Sequence, residues 1–314
     1  MKKLFAYDGG ELQDYFFPET ALEGTGIKLS ASTVPNGEGK PNEDSFAIVL
    51  NEDVLWIGVF DGTTSLRPLE KLKGVTGARF ASGFLKNHFP QSDFAATPKN
   101  LLLSLNTGLL QEAVALGGDL ADTHSLPAAM ATVLKIDLKK MTLEFAHVGD
   151  TWVVVYGRDG RSDLITEDRN KKFDDEMFAL LVQSALERGI SLRLAREEDN
   201  VKLAVYEMYQ RRNNNPDGSG SGLINGDPQV EKYIQTGIVD LSEKMAVLAG
   251  TDGLEIQGRQ LTDSVYRDFL MKNYLEGGFE KLINLKRESE DADPDWVFTR
   301  FKHSDDATGI MVKL

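Results

Sequence analysis

Apolar residues along the chain fall into two kinds of pattern. Short continuous runs at 45–50, 54–60, 128–136, 142–148, 152–156, 245–249 and 307–312 have the length and composition of strands. Turn-forming residues separate them: Asn51-Glu52-Asp53, the segment 137–140, Gly149-Asp150 and Gly157-Arg158-Asp159-Gly160. The three groups of antiparallel-looking strands predict large sheets that fold back on each other. A longer period appears between them. Over 68–89, Leu69, Leu72, Val75, Phe84 and Leu85 are spaced by polar residues as in a helix. Thr97 followed by Pro98 reads as a cap and first helical residue, with Leu101, Leu105 and Leu109 one turn apart after it. Strands and helices arranged in blocks predict an α+β fold, not alternating βαβ units.

Residues 167–236 differ in character. Two helical runs, about 175–188 and 197–212, lead into Asn213-Asn214-Asn215-Pro216-Asp217-Gly218-Ser219-Gly220-Ser221-Gly222, a loop by composition. The expectation is a helical flap inserted into one domain spanning 1–314. The acidic stretch 288–295 reads as a solvated loop.

Composition narrows the chemistry. The 314 residues include no cysteine, which excludes disulfides, thiolate metal sites and cysteine nucleophiles. A net charge of −14 disfavours a nucleic-acid partner. The start, Met1-Lys2-Lys3-Leu4-Phe5-Ala6-Tyr7-Asp8-Gly9-Gly10-Glu11, lacks the apolar run of a signal peptide, and no stretch approaches the roughly 18 apolar residues of a membrane span. A cytoplasmic location without membrane partners is expected. The four histidines, His88, His124, His147 and His303, show no zinc-hydrolase spacing. Neither a Gly-x-Ser-x-Gly elbow nor a Walker A loop occurs. The run at Asp291, Asp293 and Asp295 has Trp296 and Lys302 where a calcium loop needs Gly and Glu.

What remains is a set of acids at strand ends. The 55–60 run passes into Asp61-Gly62, and 245–249 into Gly250-Thr251-Asp252-Gly253. Ser304-Asp305-Asp306 precedes the last strand, and Asn42-Glu43-Asp44 precedes 45–50. One such acid is usually a turn former. Four alike, gathered by a sheet core, would repel one another unless a cation neutralised them, and all-oxygen donors suit magnesium or manganese.

These residues resemble the PPM-type metal-dependent protein phosphatases, the protein phosphatase 2C family. Asn42-Glu43-Asp44-Ser45, Gly58-Val59-Phe60-Asp61-Gly62, Ala146-His147-Val148-Gly149-Asp150-Thr151, Leu248-Ala249-Gly250-Thr251-Asp252-Gly253-Leu254 and Asp305-Asp306-Ala307-Thr308 occur in family order. The resemblance implies a four-layer αββα sandwich of two antiparallel sheets flanked by helix pairs. It implies two divalent ions, Mg2+ or Mn2+, with Asp61 bridging them and the Gly62 carbonyl on one. Asp252 and Asp305 would complete the other shell, Glu43 and Asp44 would act directly or through water, and Asp306 would support. The implied activity is hydrolysis of phosphoserine and phosphothreonine on a phosphorylated protein by attack of an activated water.

Three positions depart from the family pattern. Gly39 stands where the family often has a phosphate-gripping arginine; the adjacent Lys40 offers charge without bidentate geometry, or is an exposed loop lysine. Thr63-Thr64-Ser65 follow Asp61-Gly62, where many members have His or Met, making Thr63 the second candidate substrate contact beside Lys40. The Asp of a further metal site falls at about Ser125. Two alternatives therefore accompany the protein-phosphatase expectation: a phosphatase of small phosphate esters, and a non-catalytic phosphoprotein binder on the same fold.

Overall fold

Strand-forming runs joined by tight turns assemble into two antiparallel six-stranded sheets. The computed structural model describes residues 2–6, 12–37, 39–63 and 69–314; the expectations concerning Thr64, Ser65, Pro68 and the interrupted start at 8–11 lie outside them. In chain order the structure runs β1 (Lys2–Ala6), β2 (Tyr15–Ala21), β3 (Lys28–Val34), β4 (Ser45–Asn51) and β5 (Val54–Thr63). Next are α1 (Gly77–His88), α2 (Pro98–Ala115), β6 (Ala128–Asp137), β7 (Thr142–Val148), β8 (Trp152–Gly157) and β9 (Ser162–Leu164). Helices α3 (Lys171–Arg188), α4 (Leu192–Ala195) and α5 (Asp199–Arg211) precede β10 (Gln235–Asp240), β11 (Lys244–Gly250), α6 (Ser264–Asp291) and β12 (Ala307–Lys313).

One sheet is ordered β1-β4-β5-β6-β7-β10, the other β2-β3-β12-β11-β8-β9. Side chains alternate across each strand, so each sheet has an inner and an outer face. Ile48, Ile57, Val59 and Leu134 meet Leu29, Val155, Val247 and Ile310 between the sheets. Val49, Trp56, Phe60 and Val133 turn the other way, onto Phe84, Leu85, Leu101 and Leu105 of α1 and α2. On the far side Val154, Tyr156, Leu248 and Met311 pack against Tyr266, Leu270, Phe279 and Leu282 of α6. Non-helical backbone at Gly277 and Gly278 breaks α6 into two segments, so the outer layer here is also a helix pair. The result is the expected α+β sandwich of four layers.

Several expectations need correction. The strand expected over 54–60 continues to Thr63, because Asp61, Gly62 and Thr63 pair with Met130, Ala129 and Ala128. Its apolar run stops where its side chains leave the core, not where its ladder ends. The helix expected over 68–89 starts only at Gly77, capped by Thr76; before it lies one turn, Glu70–Leu72, closed by the left-handed Lys73 and Gly74. The acidic stretch 288–295 is a solvated loop only in part, with Glu290 and Asp293 buried. Its first residues end α6, and Glu290 is wholly buried between Lys286 at 2.8 Å, Arg287 at 3.0 Å and the Ser304 hydroxyl at 2.7 Å.

The segment between β9 and β10 carries its own small core, made by Phe173, Met177, Leu181, Val201, Val205 and Met208. The polar loop after α5 is not a loose tether. Asn213, Asn214, Ser221 and Asn225 are buried and bonded to one another and to the backbone, as in the 2.8 Å bond from Asn214 Nδ2 to the Leu223 carbonyl. Among the described residues no helix is long and apolar enough to cross a membrane.

Candidate active site

The two sheets bring separate acids to one edge of the sandwich. Asp61 and Gly62 leave the first sheet in β5 beside β6. Asp252 follows β11 and Asp305 precedes β12, neighbours in the second sheet. Two glycines allow the approach. A Cβ on Gly62 would lie 2.6 Å from the Glu43 carbonyl oxygen and 2.7 Å from the backbone of Ala78, so the end of β5 closes against the 42–44 segment. A Cβ on Gly253 would lie 1.5 Å from the Asp306 carbonyl oxygen. No other residue fits either place without moving backbone.

Glu43, Asp61, Gly62, Thr63, Asp252 and Asp305 line one cavity of about 380 Å³. Asp44 sits behind its wall, buried, and accepts from Thr251 Oγ1 at 2.7 Å. Asp306 is buried too and faces backbone: its carboxylate accepts from the amides of Asn36 and Glu43, each at 2.7 Å. Glu43 accepts from the Thr76 hydroxyl that also caps α1. Lys40 is exposed and is not among the residues lining the cavity. Ser125 bonds back to the Asp122 carbonyl in a short turn.

Electrostatics reports how close these acids are. Burial, then the charges of Asp44, Asp252, Asp150 and Asp305, hold the Asp61 carboxyl well above the usual carboxylate range. Asp44 is raised likewise, first by burial and then by Asp306, Asp305 and Asp252. Asp252 is open to the cavity, yet the surrounding protein and the charges of Asp305 and Asp150 push it up to about 7. A bound cation would relieve this mutual repulsion.

Sequence reasoning did not assign the second half of the cavity. Asp150 and Glu255 join the floor, and Asp174, Phe178, Arg196, Tyr209 and Arg212 come from the α3–α5 insertion. Buried Arg212 ties the insertion to the sheets: Nη2 lies 3.4 Å from Asp150 Oδ2, Nη1 3.6 Å from Asp174 Oδ1, and Nε donates to Asn170 Oδ1 at 3.2 Å. Asn170 donates in turn to Asp150 Oδ2 at 2.6 Å. Asp150 stood within a quoted motif, but nothing in sequence marked its partner 62 residues away. The loop before β12 supplies Arg300, Phe301, Lys302 and His303. Burial works against the Lys302 ammonium, but the charges of Asp305, Asp252 and Asp61 outweigh it and raise its pKa.

The donor set suits a hard divalent ion: carboxylate oxygens from two sheets, close enough to repel, with no soft ligand available. Asp150 Oδ1 is buried without a hydrogen-bond partner, an orphaned acceptor of the kind a cation satisfies. Among the described residues the side chains are not arranged as a finished shell of three or more ligands; Lys302 stands among them instead.

The protein phosphatase 2C family model matches residues 36–285. Among solved structures, the chain is similar to the serine/threonine phosphatase Stp1 from Staphylococcus aureus, at 17% identity and a TM-score of 0.56 over 99% of each chain. It is similar to serine-threonine phosphatase 2C from Toxoplasma gondii, at 13% identity and a TM-score of 0.60, over 96% of this chain and 99% of that one. RsbX, solved in complex with magnesium, aligns at 16% identity and a TM-score of 0.50, over 92% and 95%. No match was found among curated proteins. The motifs, the four layers and the family match agree, and the chain belongs to the protein phosphatase 2C family.

Proposed function

We propose that this protein is a metal-dependent phosphatase that hydrolyses phosphoserine and phosphothreonine on proteins. The observation that carries the reading is the convergence of Asp61, Asp252 and Asp305 on one cavity from places far apart in the chain. On this reading Asp61 would be shared by two ions and the Gly62 carbonyl would hold one, Asp252 and Asp305 would complete the other set, and Glu43 and Asp44 would act directly or through water. Mg2+ or Mn2+ bound there would supply the positive charge that activates a water and neutralises phosphate oxygens. The chain's own work is positional. Asp306 fixes Glu43 through its amide, the Thr251 hydroxyl holds Asp44, and Thr63 offers a polar contact on the substrate side. Phe178 and Tyr209 of the insertion, with Phe301 of the loop before β12, restrict the cavity. That restriction favours a second reading, a phosphatase of small phosphate esters.

The test is hydrolysis of a chromogenic aryl phosphate with manganese, with chelator, and in Asp61→Ala and Asp252→Ala. Activity is expected only with metal, and should fall on the order of a hundredfold or more in either variant. Turnover that survives chelator or substitution would sink the proposal. Phosphopeptides set against sugar phosphates then separate the two substrate classes.

A further inference from the structure

The position where an arginine grip is expected holds Gly39, and the neighbouring Lys40 does not reach the cavity. Other basic side chains line the cavity, and Arg212 and Lys286 are engaged by acids; Arg196 and Arg300 keep buried nitrogens without a hydrogen bond, Nε in both and Nη1 in Arg300. Arg212 is buried against Asp150 and Asp174. Lys286 is buried against Glu290 at 2.8 Å. Arg300, also buried, donates to the carbonyls of Glu290 and Asp293 at 3.2 and 2.6 Å.

Lys302 differs. Its side chain is 52% exposed, and its Nζ lies 2.5 Å from Asp305 Oδ1, within electrostatic reach of Asp252 and Asp61. Two anchors fix its backbone. On one side the Phe301 ring stacks on Phe178 of α3, with centroids 4.8 Å apart. On the other, Ser304 Oγ donates to the buried Glu290 at 2.7 Å. The stem of a lysine is long and flexible, so a fixed backbone still leaves the ammonium a choice of anions.

We propose that Lys302 is a phosphate-binding cation of this site: it pairs with Asp305 when the acids hold no ion, and with the phosphoryl oxygens of a phosphate monoester when they do. The inference rests on the phosphatase reading. Divalent ions among the acids repel the ammonium, and the substrate dianion is then the nearest uncompensated charge. The insertion shapes this grip through Phe178, which places the lysine without touching the phosphate.

Calorimetric titration of the metal-free protein with manganese, and inhibition of the manganese-loaded enzyme by inorganic phosphate, test this in Lys302→Met and Lys302→Arg. Lys302→Met should bind manganese on the order of tenfold more tightly, because a competing charge is gone, while phosphate inhibits on the order of tenfold more weakly. KM for an aryl phosphate should rise with it, and Lys302→Arg should stay near wild type in all three. A merely structural lysine would weaken metal binding on removal, not tighten it. Manganese affinity unchanged or weaker in Lys302→Met overturns the inference, as does unchanged phosphate inhibition. A wild-type chain that takes up no manganese overturns the phosphatase reading, and the inference with it.

Discussion

Asp61, Asp252 and Asp305 reach the cavity at strand ends, whereas Asp174, Phe178 and Arg212 reach it from the insertion. The strands that carry or flank these acids, β5, β11 and β12, are held by ladders on both neighbours and by a core shared between sheets and flanking helices. Helices α3–α5 of the insertion pack on their own small core and meet the sheets through buried polar groups, Arg212 with Asp150 and Asn170 between them, while Ile224, Val230 and Tyr233 further along join the core under α2. One half is fixed by apolar burial, the other docked by charge. A docked element opens at a lower free energy than the body it sits on, so the insertion is the part of the site suited to yield to a substrate.

Arg212→Ala attacks the docking directly. It leaves buried Asp150 and half-buried Asp174 with no guanidinium, a change that costs about 3 kcal/mol. Hydrogen exchange should show 171–211 losing protection while the strands keep theirs; uniform loss across the chain would erase the distinction between the two regions. Two large-to-small substitutions sharpen it. Ile57→Ala, in the core between the sheets, and Leu181→Ala, in the core of the insertion, each remove a fully buried side chain at a cost of about 3 kcal/mol. Ile57→Ala should lower the main thermal transition, and Leu181→Ala should register mainly as lost protection in the insertion. Equal shifts of a single transition would show one cooperative unit.

The smallest effect concerns His147, buried in β7 between the Thr132 hydroxyl at 2.9 Å and the Glu167 carbonyl at 3.3 Å. Burial lowers its pKa to about 4. An unfolded chain takes up a proton near pH 6.5 that the folded chain refuses. This contribution to stability is therefore complete above about pH 6.5 and is lost as pH falls towards 4, with a limit of about 3 kcal/mol. The carboxylates raised by burial act in the opposite sense, so the His147 share is best read by NMR. Its ring should stay neutral down to about pH 5, and titration near 6.5 would contradict its burial.

The legible parts of the sequence were those with a local pattern. Most core strands announced themselves as apolar runs, and Thr97-Pro98 marked α2 to the residue. The acids at 61, 252 and 305 stood out because each interrupts or borders such a run. Strands without that pattern were missed. β3 carries the buried small polar residues Ser30, Ser32 and Thr33, which pair with β12 yet break up any apolar run. α6 was hidden by Gly277-Gly278 in its middle and a charged end. The insertion's contribution to the site could not be read locally, because Arg212 acquires meaning only beside Asp150. Glu290 shows the same limit: in sequence it is one more acid among acids, and only the fold places Lys286, Arg287 and Ser304 around it.

Acids from both sheets converge on the cavity around Asp61, and on the proposed function they would form one ion-binding centre. Its most direct measurement is the stoichiometry of manganese binding by calorimetry in the wild-type chain, Asp61→Asn and Asp252→Asn. About two ions per wild-type chain are expected, with loss of both in Asp61→Asn if its carboxylate is shared between them, and loss of one in Asp252→Asn. Unchanged stoichiometry in Asp61→Asn, or no manganese bound by the wild type, would contradict it.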